Sequence, residues 1–169
     1  NTRFPSGLIL GAKIETGRID LTLEPTPCDS LVKEAITLVK PIADRQGITL
    51  EWDSCAEIIL RADRMRLKQV LINLLSNAVK YNRPHGAVRL EAFALDTGHA
   101  RLQVTDTGPG IPASRLHDLF QPFQRLGAEQ SEIEGTGIGL VISKRLIEMM
   151  GGAIGVESHV GQGSTFWIE

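Results

Sequence analysis

Gln69-Val-Leu-Ile-Asn73-Leu-Leu-Ser-Asn77-Ala-Val-Lys80-Tyr81 reads as an amphipathic helix with an unusual polar stripe. At 100° per residue, Leu67, Leu71, Leu74, Leu75 and Ala78 fall along one face, which predicts the side turned toward the core. Asn73, Asn77 and Lys80 form a second stripe on a different face from the first. Asparagine is a mediocre helix former because its amide competes for backbone hydrogen bonds, so two of them one turn apart in mid-helix need a reason. One reason is a ligand. An amide oxygen is a hard, neutral donor suited to Mg²⁺, an ion that takes few protein ligands beside substrate phosphates. Lys80, one turn on, would then sit near the phosphate charge. The other reason is that both amides cap or bridge neighbouring chain, and this helix alone is compatible with either.

Outward from this helix, the punctuation of the chain gives the element order. Asp63 is its predicted N-cap. Upstream, Asp29 or Ser30 can cap a helix running to about Gln46, with Leu31, Ala35, Leu38 and Ile42 at helical spacing, Pro41 as a bend and Gly47 as the stop. Strand-length apolar runs follow at 48–52 and 57–60. Downstream, residues 87–95 and 100–105 alternate around Asp96-Thr97-Gly98, a hairpin signature. Residues 112–120 read as a short helix, 121–134 as a polar segment and 138–150 as a helix stopped by Gly151-Gly152. Residues 153–158 and 164–169 close a second hairpin around Gly161-Gln-Gly163. Strands and helices alternate irregularly, so the expected fold class is α/β, a two-layer sandwich in which one mixed sheet is covered on one face by helices. Residues 1–27, rich in glycine and proline, read as a linker preceding a domain at 28–169.

Composition narrows the function classes. With 169 residues and 42% hydrophobic content the chain can form one ordinary core, and a net charge of -2 with pI near 6.1 gives no electrostatic footprint for nucleic acid or an anionic membrane. Any phosphate binding must be local. Cys28 and Cys55 lie far apart without zinc-type spacing and are expected as small core hydrophobes. No run of 18 apolar residues occurs, which predicts a cytoplasmic piece, or the cytosolic part of a membrane-anchored sensor. A start at Asn1 and an end directly after a strand-like run suggest part of a longer protein.

Two glycine boxes carry the chemistry. Asp106-Thr-Gly108-Pro-Gly110-Ile111-Pro112 follows a strand and precedes a helix, where the backbone must turn tightly. A carboxylate there accepts hydrogen bonds, and the amino group of a heterocycle such as adenine is a suitable donor. An ordinary Asp-Thr-Gly turn would look the same. Gly135-Thr136-Gly137-Ile138-Gly139-Leu140 opens a helix whose N-terminal amides and dipole attract phosphate.

The order Asn73-x3-Asn77-x2-Lys80-Tyr81, Asp106-x-Gly-x-Gly110, Phe120-x-Pro-Phe123, Gly135-Thr-Gly-Ile-Gly139 and Gly163-Ser-Thr165-Phe resembles the catalytic ATP-binding domain of two-component sensor histidine kinases, over residues 28–169. The resemblance implies the GHKL, or Bergerat, fold with ATP beneath a lid, here residues 124–134. It implies that Asn77 ligates Mg²⁺, that Asn73 supports the phosphate and metal end, and that Lys80 approaches the phosphates. Tyr81 would lie by the adenine or ribose and Asp106 would bind the adenine amino group. Gly108, Gly110 and Ile111 would let backbone approach the base, while Gly135, Thr136, Gly137, Ile138, Gly139 and Leu140 would flank the phosphates. Thr165 would join the nucleotide contacts, and Arg125 would stand near the γ-phosphate, a charge that suits arginine. Asn73, Lys80 and Arg125 would then be the catalytic set, with ATP and Mg²⁺ as cofactors.

The resemblance also marks what is missing. The family's nucleophile is a histidine followed by an acidic residue on a dimerising hairpin, and nothing before residue 28 matches it, although Lys13-Ile-Glu15-Thr-Gly17 resembles the exit from that hairpin. His117-Asp118 falls where the family has a short helix and reads as a surface histidine. The implied partners are the phosphoacceptor and dimerisation domain of the same protein and a downstream response regulator, with this piece monomeric. Two other readings stay open: a module that senses nucleotide without transferring phosphate, and a GHKL ATPase or serine kinase. The latter relatives place a glutamate base where this chain has Asn73, which cannot take a proton.

Overall fold

The computed structural model describes residues 20–121 and 136–169, with the side chains of the second stretch described from 139 onward. The chain runs β1 (Glu24–Pro27), α1 (Cys28–Arg45), β2 (Thr49–Trp52), β3 (Ile59–Ala62), α2 (Arg64–Lys80), β4 (Ala87–Ala94), β5 (Ala100–Asp106), α3 (Ala113–Leu116), α4 (Thr136–Met149), β6 (Ile154–His159) and β7 (Gly163–Ile168). Both expected hairpins form, β4 with β5 and β6 with β7, and β7 joins them through β5. β2 adds to β4 in parallel, giving a mixed sheet of order β2-β4-β5-β7-β6.

Alternation along these strands decides which face the helices cover. Val88 and Leu90 on β4, Leu102 and Val104 on β5, and Phe166 and Ile168 on β7 are buried against the helical layer. Their neighbours Arg89, Glu91, Gln103 and Trp167 take the other face. α1 packs on α2, and α2 on α4. All five apolar residues of the α2 stripe are buried, as the helical period requires. The α/β class and the single covered face agree with the sequence reading.

Three local expectations change. β1 was hidden inside the proline-rich linker, yet it pairs antiparallel with β3 as a separate two-stranded ribbon, so the sheet is not single. Pro25 and Pro27 sit exposed while Thr26 between them is buried and its hydroxyl donates to the Ala62 carbonyl; proline is tolerated where no ladder donor is needed. That pairing, with a turn closed by Ile58 N–H to the Cys55 carbonyl, shifts β3 two residues beyond the run at 57–60. Neither Asp29 nor Ser30 caps α1. The helix begins directly after extended Pro27, and Asp29 in its first turn accepts the Cys55 N–H at 3.2 Å instead. Helix α1 runs through Pro41 to Arg45, and Gly47 at φ 69° ends it as expected. Cys28 and Cys55 are free thiols in the core, and burial pushes both pKa values up, as befits small hydrophobes. No helix among the described residues is long and apolar enough to cross a membrane.

Candidate nucleotide site

α2 enters the site from a secured start. Asp63 Oδ1 accepts the Arg66 N–H at 3.1 Å, and Oδ2 accepts the Thr22 N–H at 3.0 Å, so the N-cap also ties down the chain before β1. With its apolar stripe locked in the core, the helix has no freedom to rotate, and the polar stripe is thereby aimed. Asn77 is 8% exposed and makes no side-chain hydrogen bond among the described residues. Tyr81, one residue past the helix, carries a buried hydroxyl without a hydrogen-bond partner among the described residues. A native fold rarely leaves such a group unpaired unless water or a ligand completes it.

β5 delivers Asp106 to the opposite wall. Its Oδ1 accepts the Gly108 N–H at 2.9 Å and the Ser164 N–H at 3.3 Å, and its Oδ2 has no partner among the described residues. Burial raises the carboxyl pKa against the pull of those two backbone donors. The loop beyond is held by the β6–β7 hairpin. Ile111 N–H donates to Ser158 Oγ at 2.7 Å, Ser158 and Ser164 hydroxyls lie 2.7 Å apart, and Gly161 N–H donates to the Pro109 carbonyl at 2.7 Å.

Between these walls lies a cavity of about 210 Å³, which Asn77, Tyr81, Asp106, Gly110, Ile111 and Leu140 help to line. Apolar walls with a few convergent polar groups are what a flat heterocycle needs. A buried carboxylate with one oxygen unpartnered among the described residues supplies an acceptor for its edge, and Tyr81 adds a ring to the lining. The residues present therefore fit an aminated base such as adenine.

Several sequence-derived assignments are repositioned. Thr165 is not in the cavity: its hydroxyl lies 3.1 Å from that of Thr105, while Ser164 and Phe166 on either side line the cavity. Period-two alternation forbids adjacent strand residues from sharing a face, so Ser164 takes the place assigned to Thr165. Applying that rule from Phe166 would have found it. Asn73 does not line the cavity. Its Nδ2 donates to the buried Ser143 hydroxyl of α4 at 3.2 Å, and a Cβ added at Gly139 would lie 2.4 Å from its Oδ1. The bridging alternative holds for this amide, which sets the approach of α4 to α2. Lys80, half-buried, is likewise absent from the lining and forms no ion pair among the described residues. Gly108 serves through its N–H, not as lining. Arg125, Gly135 and the lid at 124–134 lie outside the described residues. Thr136, Gly137 and Ile138 open α4, and their side chains lie outside them too. His117 is exposed and 3.3 Å from Asp118, in keeping with a surface histidine. Arg115 and Leu119 at the cavity were not singled out in the sequence, although their four-residue spacing in the 112–120 segment was a readable signal.

The Thr165 correction has a direct test. Ser164→Gly, which removes the hydroxyl from the cavity lining, is expected to weaken ADP binding several-fold, whereas Thr165→Ala leaves it within about twofold. Calorimetric titration of both variants checks this, and a larger loss from Thr165→Ala would reverse the two roles.

With the geometry established, comparison with known proteins places the chain. Residues 62–169 match the family model for histidine kinase-, DNA gyrase B- and HSP90-like ATPases. The circadian input-output histidine kinase CikA of Synechococcus elongatus is 42% identical over 163 residues, covering 93% of this chain and 22% of the relative. The sensor histidine kinase AruS of Pseudomonas aeruginosa is 44% identical over 146 residues, 83% of this chain and 15% of the relative. The chain thus spans about a fifth or less of the length of these relatives. Among solved structures, full-length ShkA in complex with AMPPNP superposes with a TM-score of 0.83 at 34% identity, covering 96% of this chain and 34% of that one. A mycobacterial sensor histidine kinase, MprB, gives 0.75 at 29% identity, with 86% and 95% covered. The chain belongs to the histidine kinase-, DNA gyrase B- and HSP90-like ATPase family, as the catalytic domain of its sensor histidine kinase branch.

Proposed function

We propose that this domain binds MgATP in the cavity beneath α2 and donates the γ-phosphoryl group to a histidine on a separate dimerisation and phosphoacceptor domain of its parent protein. The observation that carries the reading is Asp106, partnered on one oxygen only among the described residues, on the wall of an apolar cavity that Tyr81 also lines. Asp106 takes the adenine amino group, and Ile111 and Leu140 cover the ring. The phosphates then run toward the N-terminus of α4, where Thr136, Gly137, Ile138 and Gly139 present backbone donors and the helix dipole. Asn77 is the candidate Mg²⁺ ligand through its amide oxygen; the ion supplies charge neutralisation of the phosphates. Lys80, one turn beyond Asn77, is the candidate cation for the phosphate charge; Arg125, assigned to the γ-phosphate by resemblance, lies outside the described residues.

Such a site works by positioning and charge, with an amide at residue 73 in place of a base. Asn73, bonded to Ser143, cannot abstract a proton. A neutral imidazole attacks through a free lone pair and needs no deprotonation beforehand, unlike water or a serine hydroxyl. Two comparisons support the reading: the relatives are named histidine kinases, and neighbouring structures include ShkA with AMPPNP and the histidine kinase ThkA in complex with the response regulator TrrA. The parent would accordingly hand phosphate to a response regulator.

The test mixes this domain with the histidine-bearing hairpin of its own parent and γ-labelled ATP. Acid-labile phosphate is expected on the hairpin with Mg²⁺ present and is expected to vanish with EDTA. ATP binding without any labelled hairpin would leave a nucleotide-sensing module in its place.

A further inference from the structure

The three segments that wall the base end of the cavity meet just beyond α2, at a residue the nucleotide reading does not use. Arg83 Nη2 donates to the Gly108 carbonyl at 3.1 Å and to the Gly161 carbonyl at 3.3 Å. Gly108 is the residue whose N–H holds Asp106 Oδ1, and Gly161 is the residue whose N–H holds the Pro109 carbonyl. One guanidinium therefore ties the end of α2 to the Asp106 loop and to the tip of the β6–β7 turn. Asn82 beside it secures the same corner: its Nδ2 donates to the Ala87 carbonyl at 2.9 Å, and its Oδ1 accepts the Thr107 hydroxyl at 3.0 Å.

The partners of Arg83 are informative. It forms no ion pair with a carboxylate among the described residues, and the two acceptors it has are carbonyls on separate loops. Both bonds come from one nitrogen, Nη2, whose two N–H groups point in fixed directions in the guanidinium plane, whereas a lysine ammonium is a compact point charge on a flexible stem. Solvent exposure makes each bond modest for global stability, but both bonds act on the loop that orients Asp106.

We propose that Arg83 is a positioning residue for base recognition: it clasps the Asp106 loop to the β6–β7 turn and so sets the direction of the Asp106 carboxylate. This rests on the reading that Asp106 receives adenine.

The experiment titrates the parent chain, Arg83→Ala and Arg83→Lys with ADP and with GDP, and records thermal unfolding and amide exchange at Gly108 and Gly161. Arg83→Ala is expected to weaken ADP binding about fivefold, to lower the preference for ADP over GDP in proportion, and to speed exchange at Gly161. Arg83→Lys is expected to fall between the two, and both variants remain folded at the assay temperature. Failure of the parent to prefer ADP would remove the adenine reading and this inference with it. A parent that prefers ADP, matched in affinity and selectivity by Arg83→Ala, overturns the clasp alone. Equal losses for ADP and GDP, or full recovery in Arg83→Lys, would also overturn it.

Discussion

Asp106→Asn is expected to weaken ADP binding roughly 10- to 100-fold and to abolish the preference for adenine while leaving the protein folded, which calorimetry with ADP and GDP beside a thermal melt will show. The magnitude follows from a charge-assisted hydrogen bond made inside an apolar cavity. An asparagine can still accept the Gly108 and Ser164 N–H groups through its oxygen, but it then offers an N–H₂ where the adenine amino group needs an acceptor. Donor would face donor. The stability sign runs the other way. Burial raises the Asp106 pKa in the folded state, so between its ordinary and raised values the folded protein binds more protons than the unfolded chain. The carboxylate's contribution to stability therefore falls as pH rises through that window, and at neutral pH the neutral amide relieves this cost. Binding responds oppositely: acidification through the raised pKa replaces the acceptor with a carboxylic acid, so ADP affinity is expected to drop at a higher pH than an ordinary carboxylate would give. Asp106→Asn should lose that pH dependence. A variant that binds ADP as tightly as the parent would refute the assignment of the base to Asp106.

Gly110→Ala is expected to damage fold and site together, lowering stability by about 2–4 kcal/mol and nucleotide affinity by roughly 10- to 100-fold. Gly110 has φ 78°, a conformation that costs an L-residue about 1–2 kcal/mol. A Cβ there would also lie 2.3 Å from the His159 carbonyl oxygen and 3.0 Å from Val160 Cα, backbone atoms that no rotamer change can move away. The loop and the β6–β7 turn must separate, which pulls Ile111 from Ser158 and Pro109 from Gly161. Gly98→Ala is the control. It has φ 85° but open space around it, so it isolates the conformational cost in the β4–β5 turn, far from the nucleotide. Urea unfolding and ADP titration of both variants check the pair: if Gly110→Ala costs no more than Gly98→Ala, close packing of the two loops does not matter.

The sequence was most readable where one short-range rule acts alone. The α2 face, the Asp63 cap and both hairpins follow from periodicity, a single side-chain acceptor and turn residues, and each appears as expected. It misled where two elements had to meet. Prolines disguised β1, whose partner strand is more than thirty residues away. Asp29 looked like a helix cap until Cys55 N–H arrived from another turn to claim it.

By itself the sequence determined the α/β class, the family and the two glycine boxes, because periodicity and motif spacing are properties of the chain and need no partner. Only the tertiary structure decided which side of each element faces the cavity. A one-residue step along β7 moves a side chain through the sheet, so Ser164 lines the cavity and Thr165 does not. The packing of α4 on α2 turned Asn73 into a bridge to Ser143, while Asn77, one turn further, stayed in the cavity. The two amides are identical in chemistry and differ only in what the fold brings against them.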